Sequence, residues 1–217
     1  EQLKKGLMHE LLTKGIGHKE FKDSPIGKIP RDWEVRKLGD VITYTKGKKP
    51  EKICKDYQDE CLPYLSAEHL RENGSTIYVK PSKGDVIVNE GDLLLLWDGS
   101  NSGEFFYGKR GILSSTMVKI EQKKPFFNQK FLFYVLKLKE KELKETTKGT
   151  GIPHVEKSVL NNMHVQNPSI SEQEKIAEIL STVDKLLDLK KKKKEKLIEL
   201  KKGLMNLLLT GKVRVVE

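Results

Sequence analysis

The sequence contains no apolar segment long enough to mark a membrane-spanning or secreted protein. A membrane-spanning helix requires about 20 consecutive, mostly apolar residues, and no run in the 217 residues approaches that length. The first five residues, Glu1 to Lys5, do not supply the apolar core of a secretion signal. These absences predict a cytoplasmic protein.

Cysteine is almost absent as well. Cys54 and Cys61 are the only two, with six residues between them. A structural zinc site normally takes four ligands in closely spaced pairs, and His69 alone would not complete one. We therefore predict no metal site and two free, reduced thiols, as is usual for a cytosolic protein.

The motifs that mark common enzymes are also missing. The stretch from Gly99 to Gly103 lacks the Gly-Lys-Ser/Thr of a phosphate-binding loop, and Gly149-Thr150-Gly151 is too short for a dinucleotide fingerprint. The tetrapeptide Asn167–Ile170 lacks the second proline and the aromatic residue of the Asn-Pro-Pro-aromatic tetrad of amino-methyltransferases. No Ser/His/Asp or paired-carboxylate pattern stands out. We predict no catalytic residue and no cofactor bound by this chain.

Negative charge is in the minority. The chain has 41 Lys and Arg against 31 Asp and Glu, which gives a net charge of +10 and a pI near 9.3. A basic balance of this size favours a polyanionic partner. Nucleic acid is the first expectation, and an anionic membrane surface is the second.

A sequence repeat links the two ends of the chain. Lys4–Thr13 recurs as Lys201–Thr210 with eight of ten positions identical, at an offset of 197. This pattern predicts a repeating unit made of a globular domain and a helix. The end of one copy opens the chain, and a more complete copy closes it.

The pattern of apolar residues divides the chain into three parts. Residues 1–15 are predicted to be the end of a helix, with Leu3, Leu7 and Leu11 on one face. Residues 16–168 are predicted to form a sheet-rich domain of the α+β or α/β class, in which one helix is capped by Asn128. Residues 169–217 are predicted to form a long C-terminal coiled-coil helix and a tail. The predicted strands are Val41–Tyr44, Thr76–Val79, Val86–Val88, Leu93–Trp97 and Ser115–Ile120.

The long helix carries the strongest pattern. Ser171 and Glu174 fit a capping box at its start, and a helix from Ser171 to Leu209 would be about 57 Å long. Apolar residues at heptad spacing predict an antiparallel partner helix. The residues predicted to pair are Ile176, Ile179, Val183, Leu186, Leu197, Leu200, Leu204 and Leu207.

A lysine run, Lys190–Lys194, interrupts this heptad pattern. Two of its lysines, Lys190 and Lys193, occupy heptad positions, where they weaken a simple two-stranded coil. Two interpretations stay open. The run is a solvated face of the helix, a strip that contacts DNA phosphates, or both.

Polar and basic residues in the loops are the candidates for contact with nucleic acid. Lys, Arg, Asn and Thr side chains in loops supply the donors and acceptors that contact phosphates and base edges. We select the members that follow predicted strands or helices. They are Lys46, Lys48, Lys49, Asn101, Lys109, Arg110, Lys148 and Thr150.

Several segments, in order along the chain, resemble those of a known family. They are Ile26–Val35, Lys37–Val41, Tyr64–Leu70, Glu90–Leu94, Asp98–Ser100, Gly149–Val155 and Ser171–Leu180. The first two look like the start of a target recognition domain, and the last looks like the start of a conserved helix. Over nearly its whole length, the chain resembles the specificity subunit of type I restriction–modification systems.

The resemblance implies a division of labour. In that family, a full-length subunit has two recognition domains and two long antiparallel helices, which set the distance between the halves of a split DNA target. Methyltransferase subunits flip and methylate adenine with S-adenosylmethionine, and a separate ATP-driven restriction subunit translocates and cuts. The implied partners are double-stranded DNA and these two kinds of subunit. S-adenosylmethionine, ATP and magnesium would belong to the partners.

This chain carries only one recognition domain, one complete long helix and the end of another. We therefore predict the second half of a two-domain subunit or a naturally short form. Its long helix would pair with a second copy or with the other half.

Two other functions stay open. An adaptor or structural coiled-coil protein would bind no duplex DNA. The recognition part of a fused DNA methyltransferase would need a catalytic half outside this chain.

Overall fold

The computed structural model describes residues 2–54, 60–72, 76–146 and 153–213. Helix α1 (Gln2–Lys14) opens this part of the chain. The elements that follow are β1 (Phe21–Ser24), β2 (Gly27–Pro30), β3 (Glu34–Lys37), α2 (Leu38–Val41), β4 (Ile42–Lys46), β5 (Ile53–Cys54), β6 (Leu62–Leu65), α3 (Ala67–Leu70), β7 (Tyr78–Val79), β8 (Ile87–Val88), β9 (Leu93–Leu96), β10 (Phe105–Tyr107), β11 (Gly111–Leu113), β12 (Met117–Gln122), α4 (Gln129–Thr146), α5 (Lys157–Asn162), β13 (His164–Asn167) and α6 (Ile170–Leu209).

The predicted fold class, a sheet-rich domain followed by a long helix, is confirmed. The short helices α2, α3 and α5 add to the single internal helix that the sequence predicts. Each spans only four to six residues, which is too short to produce a periodic apolar pattern.

Strand β9 separates two apolar clusters. All four of its leucines are buried. Leu93 and Leu95 belong to the larger cluster, while Leu94 and Leu96 belong to the smaller one, because successive side chains of a strand point to opposite faces. The order of strands in its sheet is β10–β9–β12–β4. Helix α4 covers the larger cluster, and strands of the second sheet, β5–β7–β6–β11–β8, cover the smaller one.

Helix α4 begins where the sequence predicts. The Asn128 side-chain oxygen accepts hydrogen bonds from the backbone amides of Lys130 and Phe131, at 3.0 and 3.1 Å. The predicted N-cap is therefore confirmed. Leu132 and Val135 of this helix are fully buried against the sheet.

The predicted capping box at the start of α6, with Ser171 as the N-cap, is wrong. The helix begins two residues earlier. Ser169 is the N-cap, and its hydroxyl accepts from the Glu172 amide at 3.3 Å. Two overlapping Ser-x-x-Glu patterns, from Ser169 and from Ser171, compete in this segment. The earlier one prevails because the Glu172 and Gln173 side chains bind the domain, whereas Ser171 is exposed.

The two halves of α6 have different environments. Its first turns pack onto the domain and bury Gln173, Ile176, Ala177 and Leu180. Beyond Leu189 the described residues of the helix are exposed. None of the helices in the described part of the chain combines the length and apolar character needed to cross a bilayer.

The two cysteines form a disulfide, so the prediction of free thiols is wrong. Cys54 ends β5, and Cys61 immediately precedes β6. Both strands pair with β7, which lies between them, and this brings the two Cα atoms to 6.7 Å. A separation of seven positions does not reveal this approach, because it depends on a third strand far along the chain.

Candidate nucleic-acid interface

Three strand ends converge at the start of β12. Lys46 at the end of β4 lies opposite Val118, and Leu96 at the end of β9 lies opposite Met117. The loops that follow β4, β9 and β11 therefore meet at one end of the domain. We call residues 46–49, 97–102, 114–116 and 153–154 the loop cluster.

Backbone hydrogen bonds fix the loop cluster. The amides of Gly47, Trp97 and Gly99 each donate to a carbonyl of another chain segment at this end of the domain. The acceptors are Met117 at 3.0 Å, Thr116 at 2.8 Å and Pro153 at 2.9 Å. Because these bonds join segments far apart in sequence, they hold the loops at fixed distances from one another.

A glycine and a tyrosine bring the chain segments close together. A Cβ atom on Gly47 would lie 2.2 Å from the Ser114 carbonyl oxygen, so a side chain does not fit there. The Tyr64 hydroxyl donates to the Lys48 carbonyl at 3.0 Å and accepts from the Ser115 amide at 2.9 Å. Tyr64 thus joins two loops of the cluster from the β6 side.

The loop cluster brings together half of the residues predicted to face DNA. Lys46, Lys48, Lys49 and Asn101 are all exposed there. The Lys46 ammonium lies 2.7 Å from the Asp98 carboxylate, and both side chains are only partly covered. An exposed ion pair of this kind contributes little to stability, so a DNA phosphate can compete for this lysine.

Lys109 and Arg110 lie elsewhere. They occupy the turn between β10 and β11, beyond Tyr107, which pairs with the opposite end of β9 from Trp97. The Lys109 ammonium lies 2.6 Å from the Glu72 carboxylate and lowers the pKa of that carboxyl. The charges of Asp188 and Lys192 also act on Glu72, so this turn faces α6.

The two remaining candidates, Lys148 and Thr150, lie outside the described residues. The next described residue after them, Pro153, accepts the hydrogen bond from Gly99. Their predicted role stays a prediction.

The predicted helix-pairing residues differ in their exposure. Ile176 is buried within its own chain, so in this arrangement a second helix does not reach it. Val183 is half-buried. The others are exposed along the helix, and they are Ile179, Leu186, Leu197, Leu200, Leu204 and Leu207.

Sequence reasoning missed the Glu172 carboxylate, which joins the segment after α1, the domain and α6. One oxygen of Glu172 accepts from the Ile16 amide at 3.0 Å and bonds His18 Nε2 at 2.8 Å. The other accepts from Trp33 Nε1 at 2.9 Å. Its three partners lie more than 130 positions away in sequence, so no local pattern signals them.

His18, Asp32 and Glu172 lie close enough together to suggest a metal site. Their potential ligand atoms are within 4.8 Å of one another. The two nitrogens of His18 each face a carboxylate, however, with Nδ1 at 3.3 Å from Asp32. Both Glu172 oxygens also accept N–H bonds, so this group has the contacts of a structural junction.

A cleft between α1, α4 and α6 is lined by Met8, Phe133, Tyr134 and Leu187, among others. At its edge the Tyr134 hydroxyl donates to Asp184 at 2.8 Å, and Lys4 pairs with the same carboxylate. Burial and the neighbouring Asp184 carboxylate raise the pKa of Tyr134. The phenol therefore keeps its proton and continues to donate.

The geometry defines a class of protein. A rigid domain presents a basic cluster of loops at one end, and helical segments of a repeating unit pack beside it. Such an arrangement is suited to binding DNA with one domain of a larger repeated assembly.

The chain belongs to the family described as the type I restriction modification DNA specificity domain, whose model matches residues 30–199. It is 50% identical over 190 residues to the type I restriction enzyme MjaVIII specificity subunit of Methanocaldococcus jannaschii, covering 88% of this chain and 45% of that protein. The putative type I restriction enzyme MjaX specificity subunit of the same organism is 32% identical over 219 residues, covering 98% and 51%. The chain thus spans about half the length of these relatives.

A solved structure shows the same fold. The HsdS subunit from Thermoanaerobacter tengcongensis superimposes with a TM-score of 0.61 at 16% identity, covering 95% of this chain and 49% of that one. A chain from a structure on complex assembly of the type I R-M system gives 0.67 at 19% identity, covering 92% and 48%.

Proposed function

We propose that this chain reads one half of a split DNA target as part of a type I specificity subunit. The observation that carries the proposal is the loop cluster. It presents Lys46, Lys48, Lys49 and Asn101 on one exposed surface of a fixed framework. Lysines contact phosphates, and asparagine has the donor and acceptor geometry that reads adenine.

In this proposal the chain is non-catalytic and acts in the cytoplasm, where chromosomal DNA is available. Methyltransferase subunits dock on it and use S-adenosylmethionine. A restriction subunit uses ATP and magnesium to translocate and cut. The basic charge and the membership of the specificity family support these assignments.

The long helix supplies the spacing between half-sites. Its 40 residues extend over about 60 Å at 1.5 Å per residue. The apolar side chains exposed along its second half require a partner helix, because an unpaired apolar stripe is unfavourable in water. A second helix of the same repeat would place two recognition domains at opposite ends of the pair.

DNA binding measured over a range of salt concentrations tests the central part. We expect the affinity for duplex DNA to fall steeply with salt. Replacing Lys46, Lys48 and Lys49 by alanine should lower the log–log salt slope by about 2 to 3, since each lost phosphate contact removes about 0.9. Alanine at Lys19, Lys22 and Lys28, which are exposed near the β1–β2 hairpin, is the control with the same charge change.

Equal log–log salt slopes for the two triple variants would show that the loop cluster does not contact DNA. If the wild-type chain is not retained on duplex DNA at any salt concentration, the protein is instead an adaptor.

A further inference from the structure

The Cys54–Cys61 disulfide anchors one end of the segment that carries two of the candidate lysines. Lys48 and Lys49 belong to the loop cluster, and the chain runs from them to Cys54 at the end of β5. The sulfur of Cys54 is bonded to that of Cys61, which directly precedes β6. The far end of the Lys48–Cys54 segment is therefore fixed covalently to the second sheet.

Tyr64, in β6, holds the near end of the same segment. Its hydroxyl donates to the Lys48 carbonyl at 3.0 Å. Because β6 follows directly from Cys61, the disulfide and this hydrogen bond close residues 48–54 and 61–64 into a ring. The ring fixes where the two lysines leave the surface of the domain.

Among the described residues, the other contacts that hold the Cys54 end of the ring are weak. Strand β5 has only two residues, Ile53 and Cys54, and lies at the edge of its sheet beside β7. The Ile53 side chain is 67% exposed, so it buries little apolar surface. One further backbone bond joins the Lys80 amide to the Lys52 carbonyl at 3.1 Å. Since so short an edge strand is marginally stable, the disulfide is the main constraint at this end.

Lys46 lies in the same loop cluster but outside this ring. It ends β4, whose five residues pair with β12. The Gly47 amide continues this pairing with a bond to the Met117 carbonyl at 3.0 Å. Opening the disulfide should therefore loosen Lys48 and Lys49 and leave Lys46 in place.

The two sulfurs differ in their access to solvent. Cys54 is half-buried, whereas Cys61 is 3% exposed. Thiol–disulfide exchange requires access to the sulfur that is attacked, so the geometry favours attack at Cys54 with Cys61 as the leaving thiolate. The sequence has no third cysteine, and therefore no other thiol of this chain competes in the exchange.

We propose that reduction and oxidation of the Cys54–Cys61 disulfide regulate the binding of DNA by the loop cluster. The reductant is a dithiol. One of its thiolates attacks the Cys54 sulfur, the S–S bond breaks, and the Cys61 thiolate takes up a proton. The second thiol of the reductant then displaces the Cys54 thiolate, which is protonated in turn. The dithiol is oxidised to a disulfide, and its two electrons and two protons end on the two cysteines.

The two states differ in how the lysines meet a phosphate backbone. In the oxidised state the ring presents Lys48 and Lys49 in fixed positions, whereas in the reduced state they are ordered only on binding. Ordering flexible groups at an interface lowers the affinity. The oxidised form should therefore bind DNA more tightly, and the dithiol pool of the compartment sets the proportion of the two forms. This inference rests on the DNA-binding function proposed above.

Binding of the full chain to random-sequence duplex DNA, measured after oxidation and after treatment with dithiothreitol, tests the proposal. We expect reduction to weaken binding by about tenfold, because two lysine side chains must then be ordered on binding. The Cys54→Ser, Cys61→Ser double variant should bind like the reduced chain and should not respond to dithiothreitol.

Lysine variants show whether the effect passes through the ring. In the Lys48→Ala, Lys49→Ala double variant, the ratio of oxidised to reduced affinity should fall close to one, because the groups that the disulfide positions are gone. Lys46→Ala is the matched control, which weakens binding in both states and should keep the full ratio. Tyr64→Phe opens the ring at its other end and should lower the ratio as well.

Mass spectrometry after alkylation counts the free thiols in each state, and hydrogen exchange follows the segment without DNA. Reduction should speed the exchange of the Lys80 amide and leave that of the Gly47 amide unchanged. The proposal is overturned if both thiols stay free after oxidation, if the Lys80 amide does not respond, or if the oxidised state does not bind DNA more tightly than the reduced one. A chain whose Lys80 amide responds but which binds no duplex in either state contradicts the proposed function instead.

Discussion

At the scale of single residues, the sequence reveals features whose partners are close in the chain. The N-cap prediction for Asn128 is correct because the two backbone amides that donate to its side chain lie two and three positions away. Glu172 was not singled out, since its partners Ile16, His18 and Trp33 come from the other end of the domain. Cys54 and Cys61 illustrate the same limit, because strand β7 brings them together.

The Glu172 junction leads to a stability prediction. Glu172→Gln replaces one acceptor oxygen with an NH₂ group that faces N–H donors, so we expect the free energy of unfolding to fall by about 1–3 kcal/mol. Urea denaturation followed by circular dichroism measures this change. Glu174→Gln, at an exposed position of the same helix turn, should change the free energy by no more than about 0.5 kcal/mol. Equal effects for the two variants would contradict a structural role for Glu172.

At the scale of elements, long periodic segments are predicted in full, and short ones only in part. The 40-residue helix α6 and the buried strand β9 follow from apolar patterns. The two-residue strands β7 and β8 lie within the longer predicted strands Thr76–Val79 and Val86–Val88, whereas β5 is not among the predicted strands. The apolar pattern of α6 is also the same on both sides of the Lys190–Lys194 run, so it does not show that the first turns bind their own domain.

The division of α6 is testable with two leucines. Leu180 is fully buried, whereas Leu200 is 58% exposed. We expect Leu180→Ala to lower the free energy of unfolding by about 2–5 kcal/mol, because it leaves a cavity in the core. Leu200→Ala should change it by no more than about 0.5 kcal/mol in the monomer. Similar losses in denaturant unfolding at low protein concentration would show that both halves of the helix are packed.

At the scale of the whole molecule, the sequence identifies candidate DNA-facing residues but does not show where they lie in the fold. Of the predicted DNA-facing residues, Lys46 and Asn101 meet at the loop cluster, while Lys109 lies beside α6. The difference depends on β4 pairing with β12, more than 70 positions away. Loop positions are set by such long-range pairings, and local patterns do not encode them.

Salt should act on the two proposed interactions with opposite signs. In the antiparallel helix pair proposed above, the Lys190–Lys194 run lies near the middle of α6, so the run of one helix would lie near that of the other. Like charges at this distance repel, and multivalent anions screen them. We therefore expect inorganic phosphate to strengthen self-association in sedimentation experiments while it weakens DNA binding. A loss of both interactions with phosphate would contradict this helix pairing.

The central claim is that this domain reads DNA sequence, and selection from a library of random duplexes tests it most directly. The chain is incubated with the library at moderate salt, and the retained duplexes are sequenced. The account predicts enrichment of one short motif, which is lost when Lys46, Lys48, Lys49 and Asn101 are replaced by alanine. Retained duplexes with the same composition as the starting library would contradict it.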